Sequence, residues 1–439
     1  MRIADFRLYP IAIADPPLRS SYGLHAPYAL RTIVVLRSTD GLEGISETYG
    51  GEGPLASLEA LRDRVVGCDP FQLVRLWLEL SAEAAAERAA VPGGRTQTWL
   101  VPGENRLDRH ARSFAAIEMA CLDLIGKALG RPVCDLLGGR ARSSVPFSAY
   151  LFYKHAGGGG EGADRREDDY GEVLDPRTMV REARQMVARY GFREIKLKGG
   201  VLEPDEEIAT MRALREEFGP AVPLRIDPNC AWSVETSVRV GKALREELSG
   251  GGYLEDPTAT LGGMAEVRRR LVAADVPTPL ASNVAVTCFE HVAEAHRLDA
   301  VQIVLSDPHY WGGIRHVQHL SYLCHALGMG VSMHSNSHLG VSLMAMAHAA
   351  AASPHLTYAC DTHYPWQHAE DEVVQGGRIP IINGEVAIPD RPGLGVELDY
   401  DQVARGVERF RKIPYRKRDD EAEMQRRVDP GWRRILPRW

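Results

Sequence analysis

The chain has 439 residues, more than the roughly 250–300 that one hydrophobic core can serve, so two domains are expected. Apolar residues make up 44% and charged residues 25%, fractions that exclude long-range disorder. With 52 basic against 59 acidic side chains, the formal charge of −7 gives no whole-chain reason to bind nucleic acid, and no run approaches the roughly 20 apolar residues of a membrane span.

The N-terminus, MRIADFRLYPIAIADPP, lacks the basic stretch and apolar run of a signal peptide. The first fifty residues then read as a strand meander. RIADFRLYPIAI, RTIVVLRSTDG and LEGISETYGG are short alternating runs joined by Asp-Gly and Gly-Gly turns. Over 55–139 the periodicity becomes helical. Ala115, Met119, Leu122 and Ile125 share one stripe, and Gly130 with Pro132 ends that helix.

After Arg140 short β-rich runs alternate with helical ones. Polar residues close successive runs at Lys196, Asp227, Glu255, Asn283, Asp307, His334 and Asp361, roughly 24 to 31 residues apart. A step of this size repeated is a βα unit, and eight units make a (β/α)8 barrel. A doubly wound open sheet is the alternative, but it would more often carry a Gly-rich phosphate turn after its first strand, and none is present. The segment KHAGGGGEGADRREDDYGEVLDP (residues 155–175 and neighbours) lies at the expected barrel mouth, and its composition suggests a mobile insertion. The last thirty-five residues are rich in Arg and Lys but interrupted by Asp419, Asp420, Glu421 and Glu423, as in a solvated terminal segment. Seven cysteines form no CxxC pair, which suits a reduced, cytoplasmic setting.

Barrels carry chemistry at the C-terminal ends of their strands. Lys196 and Lys198, two apart, share one face; each opposes the other's charge, which is expected to lower the pKa of one or both and make a general base. Taken alone, KxK reads more readily as two surface lysines. Asp227, Glu255 and Asn283 end three consecutive strands and would aim hard oxygen ligands at one point, which suits Mg²⁺ better than zinc. Any one barrel carboxylate reads equally as a structural ion-pair partner. His334, with Asp307 on the neighbouring strand to fix its tautomer, would stand across the barrel from the lysines. A base on each side of a divalent cation is what proton abstraction next to a carboxylate needs. His316, His319, His325 and His348 lie in helical patterns without a role, and His338 lies past its strand end.

These motifs resemble the enolase superfamily, and within it the glucarate dehydratases. The resemblance spans nearly the whole chain: KALGRPVCDLLGG, YGFREIKLKGG, DPNCAW, EDP, LASN, SDPHYWGG, MHSNSHLG and ACDTHYPWQ. It implies an α+β capping domain (residues 1–140, with 386–439 returning to it) over a (β/α)8 TIM-type barrel (141–385). It implies Lys198 and the His334–Asp307 pair as acid/base groups, Lys196 as electrostatic support, and Asp227, Glu255 and Asn283 as Mg²⁺ ligands. It further implies His25, Tyr150, Phe152, Asn229, Ser335, Asn336, His363 and Arg418 as the binding set for a small-molecule diacid sugar. The implied reaction is dehydration of D-glucarate, and of L-idarate, to 5-keto-4-deoxyglucarate. A dehydratase or epimerase for another acid sugar, and a silent acid-sugar binder, are the alternatives. A homo-oligomer is the base-rate expectation for such barrels. Two positions depart from the family pattern: Cys230 where Gly is usual, which could narrow the pocket, and Ser282 where Thr is usual.

Overall fold

The computed structural model describes residues 1–90 and 109–439; the stretch 91–108, which falls within the helical pattern expected over 55–139, lies outside them. The three alternating runs at the N-terminus form an antiparallel sheet in chain order, Ile3–Ala14, Tyr28–Ser38 and Glu43–Tyr49. Against it lies the helix Arg109–Leu129, in which all four stripe residues are buried. The buried surface is wider than one stripe because the helix is gripped from two sides. Ala115, Met119 and Leu122 join the main core, while Phe114, Ile117, Ala120 and Cys121 join a second core with Phe6 and Val34 of the sheet. Gly44 permits this approach: a Cβ there would stand 2.1 Å from the Ala120 carbonyl oxygen.

Seven parallel strands follow, each hydrogen-bonded to the next in chain order: Ala149–Phe152, Ile195–Lys198, Leu224–Asp227, Tyr253–Glu255, Leu280–Ser282, Ile303–Ser306 and Gly330–Met333. Seven helices, from Pro176–Tyr190 to Gly340–Ala351, occupy the crossovers. The eighth position is taken by the irregular segment 357–361. Asp361 N donates to Met333 O on one side, and Cys360 N to Pro146 O on the other, so the ring closes. This last unit carries short 3₁₀ turns (Tyr364–Trp366 and Ala369–Asp371) in place of a helix. Strand register is in step, Phe152 beside Lys198 and Lys198 beside Asp227, which brings the polar strand ends to one rim.

The C-terminal segment returns to the N-terminal sheet. Helix Tyr400–Lys412 lays Phe410, and the following Ile413, against Ala12 and Tyr28, and Arg409 Nη1 donates to Ala12 O at 2.7 Å. The expectation of a solvated tail holds for most of its charges but not for its end. The Arg438 and Trp439 backbone N–H groups donate to Ala231 O, beside the end of the third barrel strand.

The Gly-rich insertion is a folded loop, contrary to its reading as a mobile segment. The Asp168 carboxylate gathers Lys154 Nζ at 2.9 Å with the N–H groups of Gly157, Tyr170 and Gly171. Gly159 lies directly on the Asp15 backbone, where a Cβ would meet the Asp15 carbonyl oxygen at 2.3 Å. Composition suggested flexibility; here the glycines serve close backbone approach.

Candidate active site

Lys196 is fully buried among carboxylates. Its ammonium lies 2.6 Å from both Glu255 Oε2 and Asp361 Oδ2, and 3.7 Å from Asp227 Oδ2. Burial disfavours its charge, but Asp361 and Glu255 outweigh this and hold it well above the usual lysine range. The expectation that the neighbouring lysine would lower it fails here, because the fold sets two carboxylates directly against the ammonium. Lys198 donates to Asp227 Oδ2 at 2.6 Å. Burial pushes the Asp227 carboxyl up, yet Lys198 and Lys196 prevail and bring it to about 2. Glu255 moves the opposite way, raised well above its usual range by burial and by the Asp227 charge.

The three proposed ligand residues sit on adjacent strand ends. Among the described residues, Glu255 Oε1 and Asn283 Oδ1 are buried without a hydrogen-bond partner. Two orphaned oxygens beside an ionised Asp227 form a donor set suited to a hard cation. No group of three His, Cys, Asp or Glu side chains among the described residues gathers as a metal site. The set here is two carboxylates and an amide, with lysine ammonium groups resting on both carboxylates. Asp256 anchors this rim: its carboxylate accepts from Ser282 Oγ at 2.5 Å and from the N–H groups of Asn283 and Val284. Ser282, the departure from Thr, thus retains the hydroxyl that the anchor uses.

On the other side of the mouth, His334 Nδ1 lies 2.9 Å from Asp307 Oδ2. Burial pushes the Asp307 carboxyl up, but His309 and His334 hold it well below the usual range. His309, which had no assigned role, lies 2.6 Å from Asp307 Oδ1. Its only sequence signal was its place in SDPHYWGG. His338 is satisfied by Leu339 O and Thr362 Oγ1 and belongs to the interior.

The predicted binding residues contact this cluster, one another and the cap. Tyr150 hydroxyl donates to Asp227 Oδ2 at 3.2 Å, and its ring lies 4.7 Å from Lys196 Nζ. Phe152 packs on Tyr150 and on His363, with centroids 4.6 and 5.1 Å apart. His363 Nδ1 meets Ser335 Oγ at 2.8 Å; burial, then the charges of His25, His338, His334 and Lys198, hold the ring well below its usual range. Asn229 Nδ2 donates to Asp227 Oδ1 at 2.6 Å, while its own side-chain oxygen accepts from Tyr22 of the N-terminal loop. Asn336 Oδ1 accepts from Arg31 Nη1 at 3.2 Å. His25 Nδ1 bonds Asp15 Oδ2 at 3.0 Å, and Arg418 Nη1 donates to the same oxygen at 3.1 Å. Arg418 also pairs with Asp420, so it reaches the mouth through Asp15 and stands beside His25. Cys230, at φ +62°, is buried with its thiol pushed well up by burial, a packed group and not a nucleophile.

Two family descriptions match this chain: "Enolase C-terminal domain-like" over residues 178–403, and "Mandelate racemase / muconate lactonizing enzyme, N-terminal domain" over residues 25–138. The chain belongs to the enolase superfamily. Among the superfamily's proteins, a probable glucarate dehydratase from Streptomyces coelicolor is 45% identical over 442 residues, covering 100% of this chain and 99% of the relative. An enolase from Pseudomonas fluorescens Pf0-1, crystallised with magnesium, potassium and tartrate, superposes with a TM-score of 0.91 at 44% identity, covering 100% of this chain and 99% of that one. One from Thermobispora bispora, crystallised with magnesium and formate, gives 0.89 at 45% identity, with both chains fully covered. In these superfamily terms the N-terminal sheet and its helix are the cap, and the ring of strands is the barrel. No helix among the described residues is long and apolar enough to cross a membrane.

Proposed function

We propose that this enolase-superfamily chain dehydrates an aldarate, D-glucarate and its epimer L-idarate, to 5-keto-4-deoxyglucarate. It is a hydro-lyase like its glucarate dehydratase relative. The observation that carries the reading is the placement of Lys198 and the His334–Asp307 pair on strand ends that flank the Asp227, Glu255 and Asn283 oxygens. Tartrate in the Pseudomonas fluorescens relative is a dicarboxylate, in keeping with a diacid substrate.

In this reading the neutral His334 Nε2, or Lys198 Nζ once its ammonium has given up a proton, takes the proton α to one carboxylate, each from its own face. Lys196 stays charged and stabilises the enediolate that forms. Asp227, Glu255 and Asn283 would hold Mg²⁺, which would supply the charge neutralisation that makes so weak a carbon acid removable. The β-hydroxyl then leaves as water with a proton from His334, and the enol ketonises. His25 and Arg418 meet the far carboxylate, and Tyr150, Phe152, Asn229, Ser335, Asn336 and His363 orient the polyol. The cap comprises residues 1–140 and 386–439, the barrel 141–385. All seven cysteines are free, which supports a cytoplasmic setting, and we expect a symmetric homo-oligomer.

The test is an α-keto acid assay with D-glucarate and Mg²⁺, against an EDTA-treated control, followed by L-idarate and galactarate. Metal-dependent keto acid supports reaction and substrate together. Exchange of the α-proton in D2O without elimination redirects the reading to an epimerase or another acid sugar. Silence in both assays removes D-glucarate as substrate and favours a binder.

A further inference from the structure

Asp307 serves two histidines. Oδ2 faces His334 Nδ1 at 2.9 Å, and Oδ1 faces His309 Nδ1 at 2.6 Å and accepts the His309 backbone N–H at 2.8 Å. From His309 the contacts continue away from the barrel mouth. His309 Nε2 lies 2.8 Å from Ser342 Oγ, and that hydroxyl accepts from Arg31 Nη2 at 3.0 Å. Arg31 lies on the second strand of the cap sheet, held by Glu47 at 2.8 Å on the third. All five side chains of this line, from Arg31 through Ser342, His309 and Asp307 to His334, are buried.

The direction of every proton in the line follows from its two ends. A guanidinium only donates, and an ionised carboxylate only accepts. Ser342 Oγ therefore accepts from Arg31 and must give its own hydrogen away. Its acceptors are His309 Nε2 at 2.8 Å and Glu47 O at 3.5 Å, and the shorter contact takes it. His309 Nε2 is then an acceptor and Nδ1 carries the proton, which goes to Asp307. His334 likewise donates from Nδ1 to the other carboxylate oxygen, which leaves its Nε2 lone pair for substrate.

We infer that His309 and Ser342 are positioning residues through which Arg31 of the cap fixes the tautomer and orientation of His334. The inference rests on the reading of His334 as an acid/base group. The same guanidinium holds Asn336 Oδ1, turning the amide nitrogen of that side chain away from Arg31. The cap thus acts on the barrel's base as well as covering it. A cap displaced from the barrel would lose the donor that gives the line its direction.

The experiment is two-bond proton–nitrogen correlation on the full-length protein labelled with ¹⁵N at histidine, with steady-state kinetics of the same variants. In the unsubstituted protein His309 and His334 are both expected in the Nδ1–H form. Ser342→Ala should bring in the Nε2–H form at His309 and lower kcat with KM nearly unchanged, while Ser342→Thr, which keeps the hydroxyl, should restore both. His309→Gln, whose amide can donate to Asp307 and accept from Ser342, should stay within a few-fold of the parent. His309→Leu should lose roughly 10- to 100-fold in kcat. A doubly protonated His309, an Nε2–H form of His334 in the parent, or equal losses in Ser342→Ala and Ser342→Thr would each overturn the relay. The spectra report on the relay whether or not turnover is seen, and His334→Asn tests the base assignment separately, so the two failures are distinguishable.

Discussion

Lys196 Nζ lies 2.6 Å from Glu255 Oε2, both groups fully buried, and the same ammonium serves Asp361. Removing one partner of such a cluster leaves unpaired charge in the interior. Lys196→Met is therefore expected to destabilise the metal-free protein by about 3–5 kcal/mol in chemical unfolding at pH 7. Mg²⁺ should recover part of this, because a cation bound only by the folded state stabilises it by mass action and neutralises the same oxygens. A loss of the same size with and without Mg²⁺ would mean that Glu255 does not share in holding the metal.

Lys198 and His334 are proposed to work from opposite faces, so each should serve one epimer. In D2O, Lys198→Met should lose exchange of the α-proton in one of D-glucarate and L-idarate, and His334→Asn in the other. Each loss should be roughly 10²–10⁴-fold, the range that a positioned acid or base supplies. Turnover to keto acid should fall with both substrates in His334→Asn, since that side chain also protonates the leaving water. If both variants lose exchange with both epimers equally, the two-face arrangement is wrong.

The repeating step between polar strand ends was enough to read the barrel and the residues on its rim, because a βα unit has a nearly constant length. What could not be read were contacts that join distant parts of the chain. Asp361 neutralises Lys196 across 165 residues, and Arg31 reaches Ser342 across 311. Two neighbouring lysines suggest mutual repulsion only when the carboxylates between them are unknown. The Gly-rich insertion misled for a related reason. Glycine allows both a flexible chain and a tightly apposed one, and Asp15 and Asp168, which decide between them, are not implied by the glycines.

Glu182 predicts the pH dependence of stability. Its Oε1 accepts from the Phe152 N–H at 3.2 Å, its Oε2 has no partner, and burial pushes the carboxyl up to about 8. The folded-state value lies above the ordinary 4.5, so folding favours the protonated form. That contribution is fully present below pH 4.5 and is lost as the pH rises toward 8. Glu182→Gln, neutral at every pH, should leave stability unchanged near pH 4.5 and raise it by about 2–4 kcal/mol at pH 8. Urea unfolding at the two pH values measures this; an equal effect at both would mean that the carboxyl is not the titrating group.

Gly159 links the insertion to binding. At φ +90° its missing Cβ would stand 2.3–2.6 Å from the Asp15 carbonyl oxygen, carbonyl carbon and nitrogen, so Gly159→Ala must push the insertion off the cap loop. Asp15 holds both His25 and Arg418, the groups proposed for the far carboxylate. The substitution should therefore raise KM for the diacid roughly 10-fold or more, since a misplaced charged contact costs at least about 1.4 kcal/mol, while kcat falls less. Gly162→Ala is the control. It shares the positive φ, at +57°, but its Cβ would meet nothing within 4 Å, so it should cost about 1 kcal/mol of stability and leave KM alone. A KM that rises equally in both variants would show that the insertion acts through general loosening and not through the Asp15 contact.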